Sequence, residues 1–270
     1  MIAKRTYERL VSLLQAEGPC LVSFSGGADS TLLARAARDA LGTDATAVTI
    51  ETPYVIPRDI RDAKNIAAGL SIEHLTISMA VPAIVWENGP DRCYHCKREM
   101  FLTLQEEASR RNGLRIIEGT NSDDLHKDRP GLRALKELNI MSPLAGLGIS
   151  KEEVRAISWS LGLPTWNKPA DSCLMTRIPT GTPVSLDGLK RIDRSERYLR
   201  GMGFKAVRVR SRGTCALIKT SPEDRKLLSG ASPVDLITRA LREFGFTEVC
   251  FEPTEPEGNS RQPSTIARTS

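Results

Sequence analysis

The sequence predicts an α/β fold: a parallel sheet with helices on both faces, followed by a small α+β module. Three observations carry this. Short β-rich runs alternate with helix-periodic segments through the first 165 residues, the pattern of βαβ units. Residues 164–183 hold four prolines and one glycine, which break the alternation. Beyond them the order changes to helix, strand, strand, helix, strand. At 270 residues the chain has room for one large domain or two modest ones, at about 150 residues each.

The elements follow in order. Tyr7, Leu10, Val11 and Leu14 share one face of an opening helix. Cys20-Leu-Val-Ser-Phe is a short apolar strand, Cys20 standing at its entry. It runs into Ser25-Gly-Gly-Ala-Asp-Ser30, and Leu32, Leu33, Ala36, Ala37, Ala40 and Leu41 then repeat at helical spacing until Gly42 stops them. Ala45–Ile50 reads as strand, Arg58–Leu70 as helix and Ser71–Ile77 as an alternating strand. Cys93–Arg111 suits a helix, Leu114–Glu118 a strand and Pro130–Leu138 a short helix. Ser150-Lys-Glu-Glu153 is a capping box that opens a helix running to Leu161. After the proline-rich stretch come helix Leu186–Met202, strands Ala206–Arg210 and Thr214–Lys219, helix Val234–Phe244 and strand Phe246–Phe251. This module reads as an open sandwich related to ferredoxin-like folds. The expected domains are 1–165, a linker at 166–183 that carries a cysteine, 184–252, and a disordered tail at 253–270 rich in Pro, Ser, Thr, Glu and Arg.

Composition narrows the function classes. Forty per cent hydrophobic residues support a core, and no run approaches the ~18 apolar residues of a membrane span. Six cysteines in a chain of this length, with no signal core at the N-terminus, are expected to be thiols or ligands in a reducing cytoplasm. The net charge of +5 is local: Lys190–Arg212 holds nine basic and two acidic residues. Those charges face an expected anionic small molecule, with Arg208 and Arg210 on one face of a strand. A solvated strand face is the plainer alternative.

A strand that runs through Ser25, Gly26, Gly27, Ala28, Asp29 and Ser30 into a helix suits phosphate. The helix N-terminus offers unpaired N–H groups, glycine lets the backbone approach an anion, and the two serines add donors. Asp29 is a candidate Mg²⁺ ligand, or simply the helix N-cap. Neither the Walker nor the dinucleotide pattern is present. Cys93 and Cys96 lie one helical turn apart, about 5–6 Å at Cβ, as in a redox pair or half a metal site. A structural zinc is disfavoured because His95 faces elsewhere on the helix and His74 and His126 are isolated. Cys173 lies between Lys168 and Arg177, which are expected to lower its pKa and suit it to nucleophilic attack. A spectator thiol is the alternative. Asn121, Asp123 and Asp124 follow the fourth strand, at the sheet edge where ligands bind, as candidates for Mg²⁺ or an adenylate; a solvated turn is the equal alternative. Cys215 and Cys250 lie on apolar strands and read as core thiols.

Ser-Gly-Gly-x-Asp-Ser resembles the signature of the PP-loop ATP pyrophosphatases, which include the asparagine, GMP and NAD synthetases and several sulfur transferases. The resemblance implies an adenine nucleotide alpha hydrolase-like sheet and cleavage of ATP between its α- and β-phosphates. A carboxylate or amide oxygen then becomes an adenylate. Longer strings are similar to one family, the LarE sulfur transferases of nickel-pincer cofactor biosynthesis. They are Cys93-Tyr-His-Cys-Lys, Glu118-Gly-Thr-Asn-Ser-Asp-Asp, Arg129-Pro-Gly-Leu-Arg-Ala-Leu, Ser142-Pro-Leu, Leu161-Gly-Leu-Pro-Thr-Trp-Asn-Lys-Pro-Ala, Cys173-Leu-x-x-Arg-Ile-Pro-x-Gly and Val207-Arg-Val-Arg. The similarity runs from the phosphate loop to about residue 219.

The resemblance implies adenylation of a pyridinium bis-carboxylate mononucleotide and its conversion to a thiocarboxylate. It assigns ATP to Ser25, Gly26, Gly27, Asp29, Ser30, Gly119, Thr120, Asn121 and Asp124. It assigns the substrate to Arg177, Arg208, Arg210 and Glu196. In some members the cysteine that matches Cys173 gives up its own sulfur and becomes dehydroalanine. In others three cysteines, here Cys93, Cys96 and Cys173, hold a [4Fe–4S] cluster whose open iron carries a hydrosulfide. Both sources stay open. A homo-oligomer and other enzymes of pincer-cofactor assembly are the expected partners, nucleic acid and membrane are not. Where many members read like Gly-Asp-x-Ala-Arg-Ile-Glu, this chain has Gly213-Thr-Cys-Ala-Leu-Ile-Lys219, so an arginine and a glutamate are missing.

Three rivals differ in their expectations. A PP-loop tRNA thiolase needs a basic, aromatic-interleaved RNA surface, and aromatics are sparse near the basic stretch. A glutamine-dependent amidotransferase needs a glutaminase domain or N-terminal cysteine, and the sequence has neither. A non-catalytic nucleotide-binding module would bind ATP without releasing pyrophosphate.

Overall fold

The computed structural model describes residues 2–126, 129–169 and 172–252, and the expected tail at 253–270 lies outside them. The chain divides into two compact units between Lys190 and Arg191. Residues 166–183, expected as a connection, fall within the first unit.

The first unit is built on four parallel strands, β1 (Cys20–Ser23), β2 (Ala45–Glu51), β3 (Glu73–Ser78) and β4 (Arg115–Ile117), in the order β3-β2-β1-β4. Its helices are α1 (Ile2–Glu17), α2 (Ala28–Leu41), α3 (Pro57–Gly69), α4 (Ala83–Trp86), α5 (Arg92–Arg110), α6 (Ser122–Leu125), α7 (Pro130–Glu137), α8 (Pro143–Gly146) and α9 (Lys151–Ser160). Cys20 is the first residue of β1, and it is buried. Along β1 the side chains alternate between two cores. Cys20 and Val22 join Leu10, Leu14, Leu32, Leu33, Val154 and Ile157, from α1, α2 and α9. Leu21 joins Val48, Ile50, Phe101, Leu104 and Leu135, from β2, α5 and α7. A parallel sheet covered on both faces needs such two-sided apolar strands. Because β1 lies between β2 and β4, the strand order reverses beside it. The carboxyl end of β1 is therefore the crevice where open α/β sheets bind ligands.

Local signals set the helix ends. Gly42 takes φ 62° after α2, a left-handed conformation that glycine adopts without a Cβ clash. Ser150 caps α9 by accepting from the Glu153 N–H, while the Glu153 carboxylate accepts from the Ser150 N–H.

Helix α10 (Leu186–Gly201) runs across the division into the second unit. There β5 (Val207–Arg212) pairs antiparallel with β6 (Cys215–Thr220), and β6 pairs parallel with β7 (Glu248–Phe251) through the crossover helix α11 (Ala231–Glu243). This mixed sheet departs from the antiparallel sheet of a ferredoxin-like sandwich, because the strands that α11 connects are immediate neighbours and therefore pair in parallel. Val207, Val209 and Ser211 are buried among Ile192, Leu199, Ile218, Ile237 and Phe246, leaving Arg208, Arg210 and Arg212 on the opposite face of β5. Among the described residues, no helix is long and apolar enough to cross a membrane.

The capping box gives the first test of this architecture. Ser150→Ala is expected to lower unfolding stability by about 1 kcal/mol, read as an earlier urea midpoint with an unchanged slope.

Candidate active site

The turn between β1 and α2 is held open by its own hydroxyls. Ser25 and Ser30 face each other at 3.1 Å between hydroxyl oxygens, and Ser30 Oγ also accepts from the Ser25 N–H at 3.3 Å. Gly26 has φ 66°, and a Cβ there would stand 3.2 Å from Ala63 Cα. Gly27, not Asp29, is the N-cap of α2, and Asp29 sits in the first turn. Its carboxylate accepts from Asn121 Nδ2 at 3.1 Å and pairs with Lys151 Nζ. Lys168 Nζ donates to the Gly26 carbonyl at 3.1 Å. The turn thus combines a helix N-terminus, two hydroxyls and two nearby ammonium groups, an arrangement that suits phosphate.

A second loop packs on this turn from the end of β4. A Cβ on Gly119 would lie 3.1 Å from the Ser30 amide nitrogen, so a side chain there would push the two loops apart by a few tenths of an ångström. Just before it, Glu118 is 6% exposed, and its carboxylate accepts from the Thr120 N–H at 2.9 Å, Thr120 Oγ1 at 2.8 Å and Ser142 Oγ. Lys97 Nζ, from α5, completes the set at 3.4 Å. Asn121 caps α6 by accepting from the Asp123 N–H, and Asp123 in turn accepts from the Lys151 N–H. Asp124 pairs with Arg129 at 3.1 Å. Gly131 in α7 lies close enough to α5 that a Cβ would meet Lys97 Cδ at 3.0 Å. The strings around Lys97, Glu118, Gly131 and Ser142 therefore belong to one packed assembly.

The turn opens into a cavity of about 560 Å³ that extends to Cys173. Ser25, Gly27, Asp29, Asn121, Asp124, Arg129, Lys151, Arg155, Lys168 and Cys173 line it, together with apolar groups of β2 and α3 such as Val48, Ile50 and Ile60. Cys93, Cys96 and Cys173 act on one another electrostatically, so the structure brings the three sulfurs into one neighbourhood. As they stand, no three His, Cys, Asp or Glu side chains among the described residues are close enough to hold a metal ion.

The expected low pKa of Cys173 is corrected by its surroundings. The residue is exposed, yet desolvation of its sulfur dominates and pushes the pKa up. The opposing cation is Arg92, helped by N–H groups of Met175 and Thr176, whereas Lys168 is bonded to the phosphate turn. Arg177 is 2% exposed and donates to Ser172 O, Ser172 Oγ, Cys173 O and Thr176 Oγ1 at 2.5–3.3 Å. It holds the Cys173 turn from within the protein. Burial likewise pushes Cys96 up to about 11, while Tyr54 Oη sits 2.8 Å from its sulfur.

The second unit holds the other expected residues. Arg208 is half-buried and Arg210 exposed on the outer face of β5. Glu196 is fully buried and accepts from the Val209 N–H at 3.1 Å and Arg200 at 2.9 Å, tying α10 to β5. Cys215 and Cys250 are half-buried on neighbouring strands, and desolvation raises the Cys215 pKa with Cys250 adding to it.

Sequence reasoning missed Tyr54, Arg92, Lys151 and Arg155 as site residues. Arg92 bridges Asn88 Oδ1, the Met175 carbonyl at 3.4 Å and Cys93 Sγ at 3.7 Å. Asn88, at φ 59°, is buried and donates to the Pro179 and Thr182 carbonyls at 2.9 Å each. The Asn-Gly dipeptide at 88–89 was the one available signal of a tight turn there.

The NAD synthase family pattern matches residues 7–112. An uncharacterized protein of Synechocystis sp. is 41% identical over 235 residues, 86% of this chain and 87% of its own. The pyridinium-3,5-bisthiocarboxylic acid mononucleotide synthase of Lactiplantibacillus plantarum is 32% identical over 248 residues, 90% of this chain and 88% of its own. An uncharacterized protein of Methanocaldococcus jannaschii is 32% identical over 233 residues, 86% of this chain and 88% of its own.

The Glu118 assembly supplies a stability test. Glu118→Ala strands four donors and is expected to cost about 3 kcal/mol. Urea unfolding measures it, with Glu118→Gln, which keeps part of the bonding, falling between.

Proposed function

The chain belongs to the LarE family of PP-loop sulfur transferases, and from that premise we propose its reaction. ATP lies with its pyrophosphate end on Ser25–Ser30, near Lys151 and Lys168. Gly119 and Thr120 back the turn, and Asn121 and Asp124 line the nucleotide side. Asp29 is the carboxylate proposed to meet Mg²⁺. A carboxylate oxygen of a pyridinium-3,5-biscarboxylate mononucleotide attacks the α-phosphorus, the α–β bridging bond breaks, and pyrophosphate leaves. The product is an acyl adenylate. Sulfur then attacks the acyl carbon and AMP departs, giving the thiocarboxylate. The observation that carries this reading is the single cavity lined by both the phosphate turn and Cys173.

Two sulfur sources fit those steps. If Cys173 donates its own sulfur, its thiolate forms a thioester as AMP leaves. Loss of the Cα proton and cleavage of the Cβ–S bond then release the thiocarboxylate and leave dehydroalanine. Alternatively, Cys93, Cys96 and Cys173 would hold a [4Fe–4S] cluster, and the chemistry it would supply when bound is delivery of a hydrosulfide. The donor set is chemically suited, three thiols within mutual electrostatic reach, and their side chains would close further to share one cluster. Arg92 supplies positive charge beside the sulfurs in either case. Arg208 and Arg210 are proposed to meet the substrate's phosphate and carboxylates. Arg177 and Glu196 were expected to meet the substrate too; their bonding supports positioning roles for both. A cytoplasmic homo-oligomer that passes its product to other pincer-assembly enzymes completes the proposal.

The test is AMP, pyrophosphate and thiocarboxylate formation from ATP, comparing the pyridinium mononucleotide with tRNA, on protein purified anaerobically and assayed for iron and labile sulfide. The expected result is turnover with the mononucleotide by brown, iron-containing protein. Turnover only with tRNA would establish a thiolase instead, and ATP binding without pyrophosphate release a non-catalytic module. A colourless protein whose Cys173 loses the mass of H₂S after one turnover would remove the cluster.

A further inference from the structure

We propose that Tyr54 is a positioning residue that clamps the two halves of the cysteine site together. The proposal deepens the sulfur-transfer reading above and takes its purpose from it. Tyr54 follows β2, at the carboxyl end of the sheet, and is 3% exposed. Its two polar ends reach different segments. The phenol oxygen stands 2.8 Å from Cys96 Sγ on α5, while the backbone carbonyl accepts from the Leu174 N–H at 3.3 Å, one residue beyond Cys173. The ring is braced edge-to-face by Trp86, with centroids 6.3 Å apart and planes at 72°.

A buried phenol needs a hydrogen-bond partner, and here that partner is a sulfur. Hydroxyl and thiol can each donate or accept, so the 2.8 Å contact is a hydrogen bond whichever atom carries the shared proton. The bond fixes the direction in which the Cys96 sulfur points. Cys93, by contrast, is exposed, with the Arg92 guanidinium 3.7 Å from its sulfur. Helix geometry alone sets the distance between Cys93 and Cys96, because both lie on α5. The distance between Cys96 and Cys173 has no such guarantee. It depends on two segments far apart in sequence; Arg92 joins them at the Met175 carbonyl, and Tyr54 joins them at the Cys96 sulfur itself and at Leu174.

This asymmetry makes the clamp testable without substrate or metal. Reduced, metal-free full-length protein is treated with dibromobimane, which links two nearby thiols by displacing two bromides. Peptide mass spectrometry then compares the Cys96–Cys173 link with the Cys93–Cys96 link in the same sample. Tyr54→Phe keeps the ring against Trp86 and the backbone bond to Leu174, and removes one oxygen. It is expected to lower the ratio of the two links about fivefold, which corresponds to about 1 kcal/mol, the net worth of one hydrogen bond. A loss of that size leaves a domain of ordinary stability folded. An unchanged ratio, or no Cys96–Cys173 link in the unaltered protein, overturns the clamp. A lowered ratio in a protein that forms no thiocarboxylate would retain the clamp and remove the reaction, so the two failures are separable.

Discussion

A carboxylate buried in a protein must be surrounded by donors, and much of the candidate site follows from how Glu118 meets that demand. Its donors come from three places: its own loop through Thr120, the turn before α8 through Ser142, and the cysteine-bearing helix α5 through Lys97. Each contact holds a different segment at one point, at the end of β4. The next residue, Gly119, lies against the Ser25–Ser30 turn so closely that a Cβ would press on the Ser30 amide. The carboxylate that anchors α5 is therefore one peptide bond from the group that shapes the turn. Phosphate turn and cysteine helix are placed from a common origin.

The cavity between them is mixed in character, as suits a nucleotide. Aliphatic groups from β2 and α3 line one part, while ammonium, guanidinium and hydroxyl groups gather around the turn. The segment bearing Cys173 is fastened to the unit by Arg177 from within, Arg92 from α5 and Asn88 through the carbonyls that follow. An irregular stretch with several prolines thereby acquires a defined path without joining the sheet. Its order comes from side chains that satisfy its backbone.

Much of this was legible in the sequence. The two-sided apolar strands, the helix-periodic runs, Gly42 and the Ser150 capping box are local signals, and each element formed where those signals put it. The Ser25–Ser30 turn was legible for the same reason, being one continuous string between a strand and a helix. What escaped notice depends on approach between distant segments. Lys151 sits in a capping motif that explains it locally, yet its ammonium reaches Asp29. Tyr54 and Arg92 carry no motif of their own. The pKa expectation for Cys173 failed because charge alone was weighed. Lys168 is bonded to the Gly26 carbonyl, Arg177 spends its donors on oxygens of the turn, the Cys173 carbonyl among them, and desolvation governs the sulfur. Arg177 and Glu196 show the same limit, since a charged residue in a pattern can serve the backbone around it as well as a ligand.

The Asp29–Lys151 pair has an effect on the order of events at the turn. With the two charges joined, the turn is left with the N-terminus of α2 and the Lys168 ammonium as its positive groups. A polyphosphate that draws Lys151 to itself uncovers the Asp29 carboxylate, and an uncovered carboxylate beside phosphate attracts a divalent cation. The cation in turn frees Lys151 by competing for Asp29. Anion and cation then help each other by the same factor, as reciprocity of binding requires, and either one alone must first pull apart an existing ion pair.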